Sequence, residues 1–417
     1  MARQGADTAD FVVIGGGVIG LNIACELKRR CGDSSVLLLE KENAVGEHAS
    51  GRNSGVLHAG FYYTADSLKA RFTRQGNEAV RAYCQERSLP INRCGKLVVA
   101  RDESELAGIA ELLRRGRANG VPLEEISEAR AREIEPRVKT CGKALWSPTT
   151  ATVDPKAVMA ALLADAEALG VRVALDCGYR GRRGRSLLTR RGTCEAGYVV
   201  NAAGLYADRI ARDFGFGGDY EILPFKGLYL YSSEREGALR TNVYPVPNLK
   251  NPFLGVHFTL TVDGHVKIGP TAIPCLWREQ YDWTRRFRAG ELAAIAGAMA
   301  GLFFRAGFDF RSLAVEEMRK YRRAYLVRQA AVLAEGVRLE DYTHWGRPGI
   351  RAQLVRKADR TLVMDFCLEG DERSFHVLNA VSPAFTCAIP FSHFVCDEIE
   401  RAARGRSVPR LAAGHRA

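Results

Sequence analysis

Gly15, Gly17 and Gly20 stand in GxGxxG spacing, and Glu40 follows 20 residues after the last of them. These residue types in this order suit a dinucleotide. The glycines permit a tight turn, let backbone approach a pyrophosphate and allow a helix to pack closely on a strand. The helix N-terminus then offers free N–H groups to the phosphates, while the carboxylate accepts hydrogen bonds from ribose hydroxyls. Other side chains could act on a small molecule. His58 and His257 titrate near neutral pH and could move a proton. Arg351, in "GIRAQL", carries a planar fork that matches a carboxylate in a way lysine does not. Lys226, Tyr62, Tyr63, Tyr229 and Tyr244 could also touch an anion, although a tyrosine in a strand is often plain packing and a histidine in a sheet often only a satisfied polar group.

The elements that must position these groups can be read around them. The apolar run 11–14 fits a strand buried on both faces, and Leu21, Ala24, Cys25 and Leu27 then recur at helical intervals. "SSVLLLEKE" supplies a second buried strand ending at Glu40. This strand–turn–helix context supports dinucleotide binding but does not separate NAD from FAD. Between that second strand and the helical stretch "DSLKARFTRQGNEAVRAYCQER" lies the glycine-rich loop "GEHASGRNSGVLHAGFYYT", residues 46–64, which contains His58 and the Tyr62–Tyr63 pair. Around the turn Asp263-Gly264, "FLGVHFTLTVDGHVKIGP" reads as two strands, with His257 on the first.

At 417 residues the chain is long enough for two or three domains, and 47% apolar with 26% charged residues is ordinary globular composition. A net charge of +12, concentrated in clusters such as "RGRRGRSLLTRR" and "RKYRRAYLVR", reads as a solvated basic surface. It would also attract an anionic substrate or anionic lipid. Nucleic acid is not expected as a partner, because the basic residues are not interleaved with stacking aromatics. No signal-type or membrane-spanning run appears, so a cytoplasmic location is expected. The 11 cysteines lack CxxC spacing and read as reduced thiols, with no metal site.

The glycine-rich loop, the first motif and a distant "EAGYVVNAAGLYADRIA" together resemble the flavoprotein superfamily of D-amino-acid oxidase, sarcosine oxidase and glycerol-3-phosphate dehydrogenase. The resemblance implies FAD as the cofactor, with the "NAAG" segment returning to support it. The likeness is closer to the L-2-hydroxyglutarate dehydrogenases and oxidases. It is carried by "SGRNSGVLHAGFYY", "SLKARF", "TVDPKAVMAAL", "YPVPN", "NPFLGVHFT" and "GIRAQL". This chain departs from that family at "PFKGLYLY", where Lys226 and Leu228 replace an arginine and a glutamate, and at "NAVSPAFTCAIP" near the C-terminus. Both stretches are expected near flavin or substrate.

What the resemblance implies is oxidation of a small anionic 2-hydroxy acid, like L-2-hydroxyglutarate, to the 2-oxo acid, with hydride passing to FAD and then to O2 or a quinone. The loop beside the flavin makes His58 the expected base, His257 the second candidate and Arg351 the carboxylate anchor. Lys41, Ser50, Arg52, Asn53, Ser54, Ala203, Gly204, Ser382 and Thr386 are expected to join Gly15, Gly17, Gly20 and Glu40 at the cofactor. Cys387 is read as a buried free thiol, with a flavin thioether as the alternative. Two other readings of the scaffold remain open: oxidation of an amino or imino acid at its C–N bond, and a flavin-binding protein without turnover.

The expected fold class is α/β, a Rossmann-like FAD-binding domain of the D-amino-acid oxidase and glutathione-reductase type joined to a substrate domain built on a mixed antiparallel sheet. The first is expected from residues 1–90, 150–215 and 345–417, and the second from 91–149 and 216–344. "WREQYDWTRRFRAGELAAIAGAMAGLFFRAGF" reads as mostly helical, with its apolar end at 302–304 either part of the core or a peripheral membrane contact. The last helix is expected from "FSHFVCDEIERAARG", with Pro390 in its first turn.

Overall fold

A computed structural model describes residues 7–247, 255–306 and 309–405. Asn248 and residues 251–254, which belong to two of the family-like segments, lie outside the described residues. The chain divides into two units, each assembled from separated stretches. Met1–Gly51, Lys156–Ile222 and Ala352–Ala417 make the first, and Arg52–Pro155 with Leu223–Arg351 make the second.

The first unit is built on an 8-stranded sheet. Strand Asp7–Ile14 lies between Val36–Leu39 and Gly192–Asn201, parallel to both, with Ile14 opposite Leu39 on one side and Asn201 on the other. Ser374–Asn379 extends the parallel set beside Gly192–Asn201. Val12, Ile14, Leu37, Leu39 and Val199 are buried together, as the apolar runs require of strands covered on both faces. Helix Val18–Arg30 follows the first strand and packs with helix Ala384–Ala403, where Ser392 Oγ donates to the Ile19 carbonyl at 3.5 Å and Arg30 reaches Asp397 at 2.7 Å. The arginine-rich hairpin Tyr179–Arg183 and Ser186–Thr189 caps one edge of the sheet, and such exposed charge discourages edge-to-edge pairing.

The second unit is built on another 8-stranded sheet. Its order is Tyr342–Trp345, Leu230–Ser232, Val266–Gly269, His257–Leu260, Asn242–Pro245, Lys96–Val99, Lys143–Ser147 and Glu124–Ser127. All neighbours are antiparallel except Asn242–Pro245 with Lys96–Val99. The hairpin predicted around Asp263-Gly264 is present, with His257 opposite Gly269 and Leu260 opposite Val266.

Three expectations about boundaries need correction. Residues 52–90 fall in the second unit and take 150–155 with them, since Ala151–Val153 pairs with both Val56–Leu57 and Ile91–Asn92 and the Gly55 carbonyl accepts from Val153 N at 2.9 Å. Among the described residues of the stretch read as mostly helical, helix is confined to Ala289–Arg305. Before it, Asp282 Oδ1 accepts from the amides of Thr284 and Arg285 at 3.1 and 2.6 Å, a local turn that competes with helix. The last helix begins at Ala384 rather than near Pro390, since buried Cys387, Ala388, Phe391 and Val395 continue one apolar face through the proline. No helix among the described residues is long and apolar enough to cross a membrane. All eleven cysteines are free thiols.

Candidate active site

In the first unit the glycines form a tight turn against the helix that follows. Gly15 has φ of +116°, and a Cβ there would lie 2.6 Å from the Ala202 carbonyl oxygen. A Cβ on Gly20 would lie 1.9 Å from the Gly15 carbonyl oxygen, so the helix can approach the turn only without side chains. Gly17 caps helix Val18–Arg30 without a side-chain bond of its own, and Ser50 Oγ accepts from Val18 N at 2.9 Å. Glu40, at the end of its strand, is buried. Its carboxylate accepts from Gly16 N at 2.7 Å and Glu42 N at 2.9 Å, which fixes it beside the glycine turn. Ala202 N donates to the Ile14 carbonyl at 2.9 Å, and Asn201 Oδ1 accepts from Ala203 N at 3.2 Å, so the "NAAG" segment is tied to the same turn with Gly204 next to it. Lys41 lies 5.6 Å from the Tyr206 ring and bonds His48 and Glu42. Ser382 is exposed just before helix Ala384–Ala403, whereas Thr386 and Cys387 are buried within it.

The second unit gathers most of the groups suited to proton transfer and anion binding. His58 follows strand Val56–Leu57, and Asn77 on helix Leu68–Glu86 holds the local backbone by donating to the carbonyls of Leu57, His58 and Thr149 at 3.0, 3.3 and 3.1 Å. His257 opens its strand, its Nδ1 lies 2.8 Å from the Gly255 carbonyl, and its ring stacks on Tyr244 at 3.6 Å and 17°. Donation from Nδ1 to that carbonyl leaves Nε2 with the lone pair. Tyr62 packs on Phe61 at 4.4 Å, and its hydroxyl has no hydrogen-bond partner among the described residues.

Burial and nearby positive charge keep both imidazoles neutral. Desolvation lowers His58 well below its usual value, with Lys96 and then His257 adding to the effect. Burial brings His257 to about 3 despite the Gly255 carbonyl, with Lys96, Lys320 and Lys267 pushing the same way. The phenols of Tyr62, Tyr229 and Tyr244 are raised by burial and stay protonated.

A second group surrounds Arg351. Its guanidinium is lowered by burial, against the opposing influence of Tyr229, Glu317 and Tyr63. Glu317 is itself engaged, by Lys320 Nζ at 2.5 Å and Ala272 N at 2.6 Å. Tyr229 bonds Ser54, and Lys267 Nζ lies 4.9 Å over the Tyr229 ring and donates to the Ser54 carbonyl at 3.1 Å. Burial lowers Lys267 to about 8.

Among the predicted residues, His58, His257, Tyr62 and Tyr244 are linked to one another, and Tyr229 and Tyr63 act on both Arg351 and Tyr244. Lys226 instead lies 6.0 Å from the Trp283 ring, with Cys275 and Asp282 as its charged or titratable neighbours. Arg52 stacks over Tyr281 at 4.3 Å, while Asn53 and Ser54 each accept from an amide two residues on. Sequence reasoning missed Lys96 and Lys267. The signal was available: "GKLVV" and "HVKIG" set a lysine among apolar strand residues, and both strands are buried throughout.

Over residues 10–397 the chain matches the family model described as FAD dependent oxidoreductase. It is 33% identical over 406 residues to the L-2-hydroxyglutarate dehydrogenase of Escherichia coli (strain K12), an alignment covering 96% of this chain and 95% of that protein. With the mitochondrial L-2-hydroxyglutarate dehydrogenase of Homo sapiens it shares 34% over 418 residues, 94% of this chain and 89% of the relative. Among solved structures, the FAD-bound L-alpha-glycerophosphate oxidase from Mycoplasma pneumoniae has a TM-score of 0.76 at 21% identity, covering 97% of this chain and 98% of its own. Glycine oxidase from Geobacillus kaustophilus has a TM-score of 0.71 at 21% identity and 98% coverage of each. These structural likenesses establish the fold.

Proposed function

The chain belongs to the family of FAD-dependent oxidoreductases, and from that membership we propose that it oxidises a small anionic 2-hydroxy acid of the L-2-hydroxyglutarate type to the 2-oxo acid. Near-full-length similarity to L-2-hydroxyglutarate dehydrogenases supports the substrate class. The structural observation that carries the chemistry is the placing, in one unit, of neutral buried imidazoles among cations: His58 and His257 with the buried Lys96 and Lys267 and the partly exposed Arg351. Such surroundings favour an anion and leave a base ready to take a proton.

The first unit fits FAD. A side chain on Gly15 or Gly20 would strike backbone, a helix N-terminus follows the turn, and Glu40 is fixed beside it. We assign Gly15, Gly17, Gly20, Glu40, Ser50, Ala203 and Gly204 to holding the cofactor, with Lys41, Arg52, Asn53, Ser54, Ser382 and Thr386 as further contacts. When bound, FAD supplies the acceptor for the two electrons of the substrate's C2–H bond. In the proposed reaction a nitrogen of the His58 imidazole takes the hydroxyl proton, and the oxygen's electron pair closes the C=O bond as the hydride leaves. Arg351 grips a substrate carboxylate through its fork, and Lys267 adds a second positive charge. Burial of the cluster excludes water that would compete for these bonds.

Mixing the yellow holoprotein anaerobically with L-2-hydroxyglutarate is expected to bleach the flavin band near neutral pH. Bleaching by amino acids instead would replace this reading with C–N oxidation. Colour with no bleaching by either class would leave a flavin-binding protein without turnover.

We further propose that the electrons pass on to O2 or a quinone, and that the second unit touches anionic membrane from the cytoplasmic side. Support comes from the exposed Trp283, Phe287 and Phe304, 75%, 52% and 69% accessible, among Arg285, Arg288 and Arg311. Vesicles of anionic lipid should sediment the protein, and Phe304→Ser should weaken that without changing flavin content. Equal partitioning to zwitterionic and anionic vesicles, or none to either, would contradict the contact.

A further inference from the structure

Lys96 opens the strand Lys96–Val99 near the middle of the second unit's sheet and is fully buried. Its Nζ has no hydrogen-bond partner among the described residues. The rings of Phe61, Tyr62 and Tyr244 surround it instead, with centroids 4.7, 4.7 and 4.8 Å away. Ring faces stabilise an ammonium through their quadrupoles without supplying a compensating negative charge. A carboxylate partner would cancel most of the lysine's field, whereas this cage leaves it to act on neighbouring groups.

Those neighbours come from several elements. His58 lies on the loop that also supplies Phe61 and Tyr62, and its ring is under the influence of both Lys96 and His257. His257 comes from the strand beside Tyr244 and stacks on that ring, with Lys267 and Lys320 also acting on it. Among the described residues, Cys94, two residues before the lysine, would favour the ammonium if charged, but burial raises its thiol. The phenols of Tyr62 and Tyr244 stay neutral.

We propose that Lys96 is a positioning residue for the reaction: its ring-caged ammonium acts through His58 and His257 to keep the imidazoles available as proton acceptors. The proposal rests on the reading that His58 takes the substrate's proton. A buried lysine spent only on packing would be an expensive choice, since methionine fills the same space without a charge to desolvate.

The order of titration supports the arrangement. Burial lowers the Lys96 ammonium to about 7, so it carries its charge below that pH and loses it above. A free imidazole gains its proton near about 6.5. Below about 7 the charged Lys96 thus adds to the burial that already disfavours a proton on His58. Above that range the imidazole is neutral without help.

The test uses holoprotein labelled at the histidine ring carbons, titrated by NMR, alongside the pH profile of anaerobic flavin reduction by L-2-hydroxyglutarate. In the wild type, the His58 midpoint and the acid limb of the profile should both lie below about 6.5. Lys96→Met should raise both by about one pH unit, and Lys96→Arg, which keeps the charge, should return them toward the wild-type position. A purely structural lysine would lower rate or stability without moving either midpoint. Unmoved midpoints in Lys96→Met would overturn the proposal. So would a wild-type limb at 6.5 or above, a reading that requires no variant to fold. If the wild type is not reduced at any pH, the functional reading fails, and the NMR midpoints still decide the role of Lys96.

Discussion

His58→Ala is expected to slow anaerobic flavin reduction by about 10²–10⁴-fold, the usual range for a lost general base, while FAD content stays that of the wild type. The loop after Val56–Leu57 is held by Asn77, which donates to the Leu57, His58 and Thr149 carbonyls, so truncating an imidazole leaves the backbone anchored. Neutral at working pH, the buried ring can accept a proton without first losing one. Stopped-flow absorbance under anaerobic conditions gives the rate, and the visible spectrum gives the FAD content. His257 is the discriminating control. Its Nδ1 is turned to the Gly255 carbonyl, and burial lowers its basicity as it lowers that of His58. If His257→Ala carries the large loss and His58→Ala reduces flavin normally, the two roles are exchanged.

The second large effect is expected at the cofactor. Gly20→Ala should yield protein that has lost most of its FAD, with affinity lowered by about 10–100-fold. The added Cβ would meet the Gly15 carbonyl oxygen at 1.9 Å, a contact with backbone that no rotamer can relieve. Overpacking of this kind costs about 1–3 kcal/mol where surroundings yield, and each 1.4 kcal/mol is a tenfold change in binding. Here the yielding part would be the turn assigned to the cofactor, so on that assignment the cost falls on FAD binding before the rest of the unit. Fluorescence titration of the deflavinated variant with FAD measures it. Wild-type affinity would show that the turn does not hold the pyrophosphate. Gly32, where an added Cβ meets nothing within 4 Å, supplies the neutral comparison as Gly32→Ala.

Much of this was legible in the sequence because it is local. GxGxxG after an apolar run predicts strand, turn and helix, and the structure places Asp7–Ile14 and Val18–Arg30 there. The hairpin around Asp263-Gly264 and the helix over 68–86 were likewise written in turn chemistry and periodicity. What escaped depended on pairing between distant residues. Nothing in 52–63 announces that Val56–Leu57 will pair with Ala151–Val153, yet that pairing moves the His58 loop into the second unit. Lys226 was counted as a weaker candidate for anion binding, in a segment where this chain departs from the family and which is expected near flavin or substrate, and the structure gives it Trp283, Cys275 and Asp282 as neighbours. Lys96 went unremarked because a lysine at a strand's first residue normally lies in water. Only the tertiary fold brings three rings around it.

The central claim, oxidation of a 2-hydroxy acid at C2 by a buried base and bound FAD, is tested most directly by a single anaerobic turnover with protiated and C2-deuterated L-2-hydroxyglutarate. The account predicts one equivalent of 2-oxo acid for each flavin bleached, with slower bleaching for the deuterated acid. Flavin that stays oxidised with this acid, yet is bleached by an amino acid with release of ammonia, would contradict it.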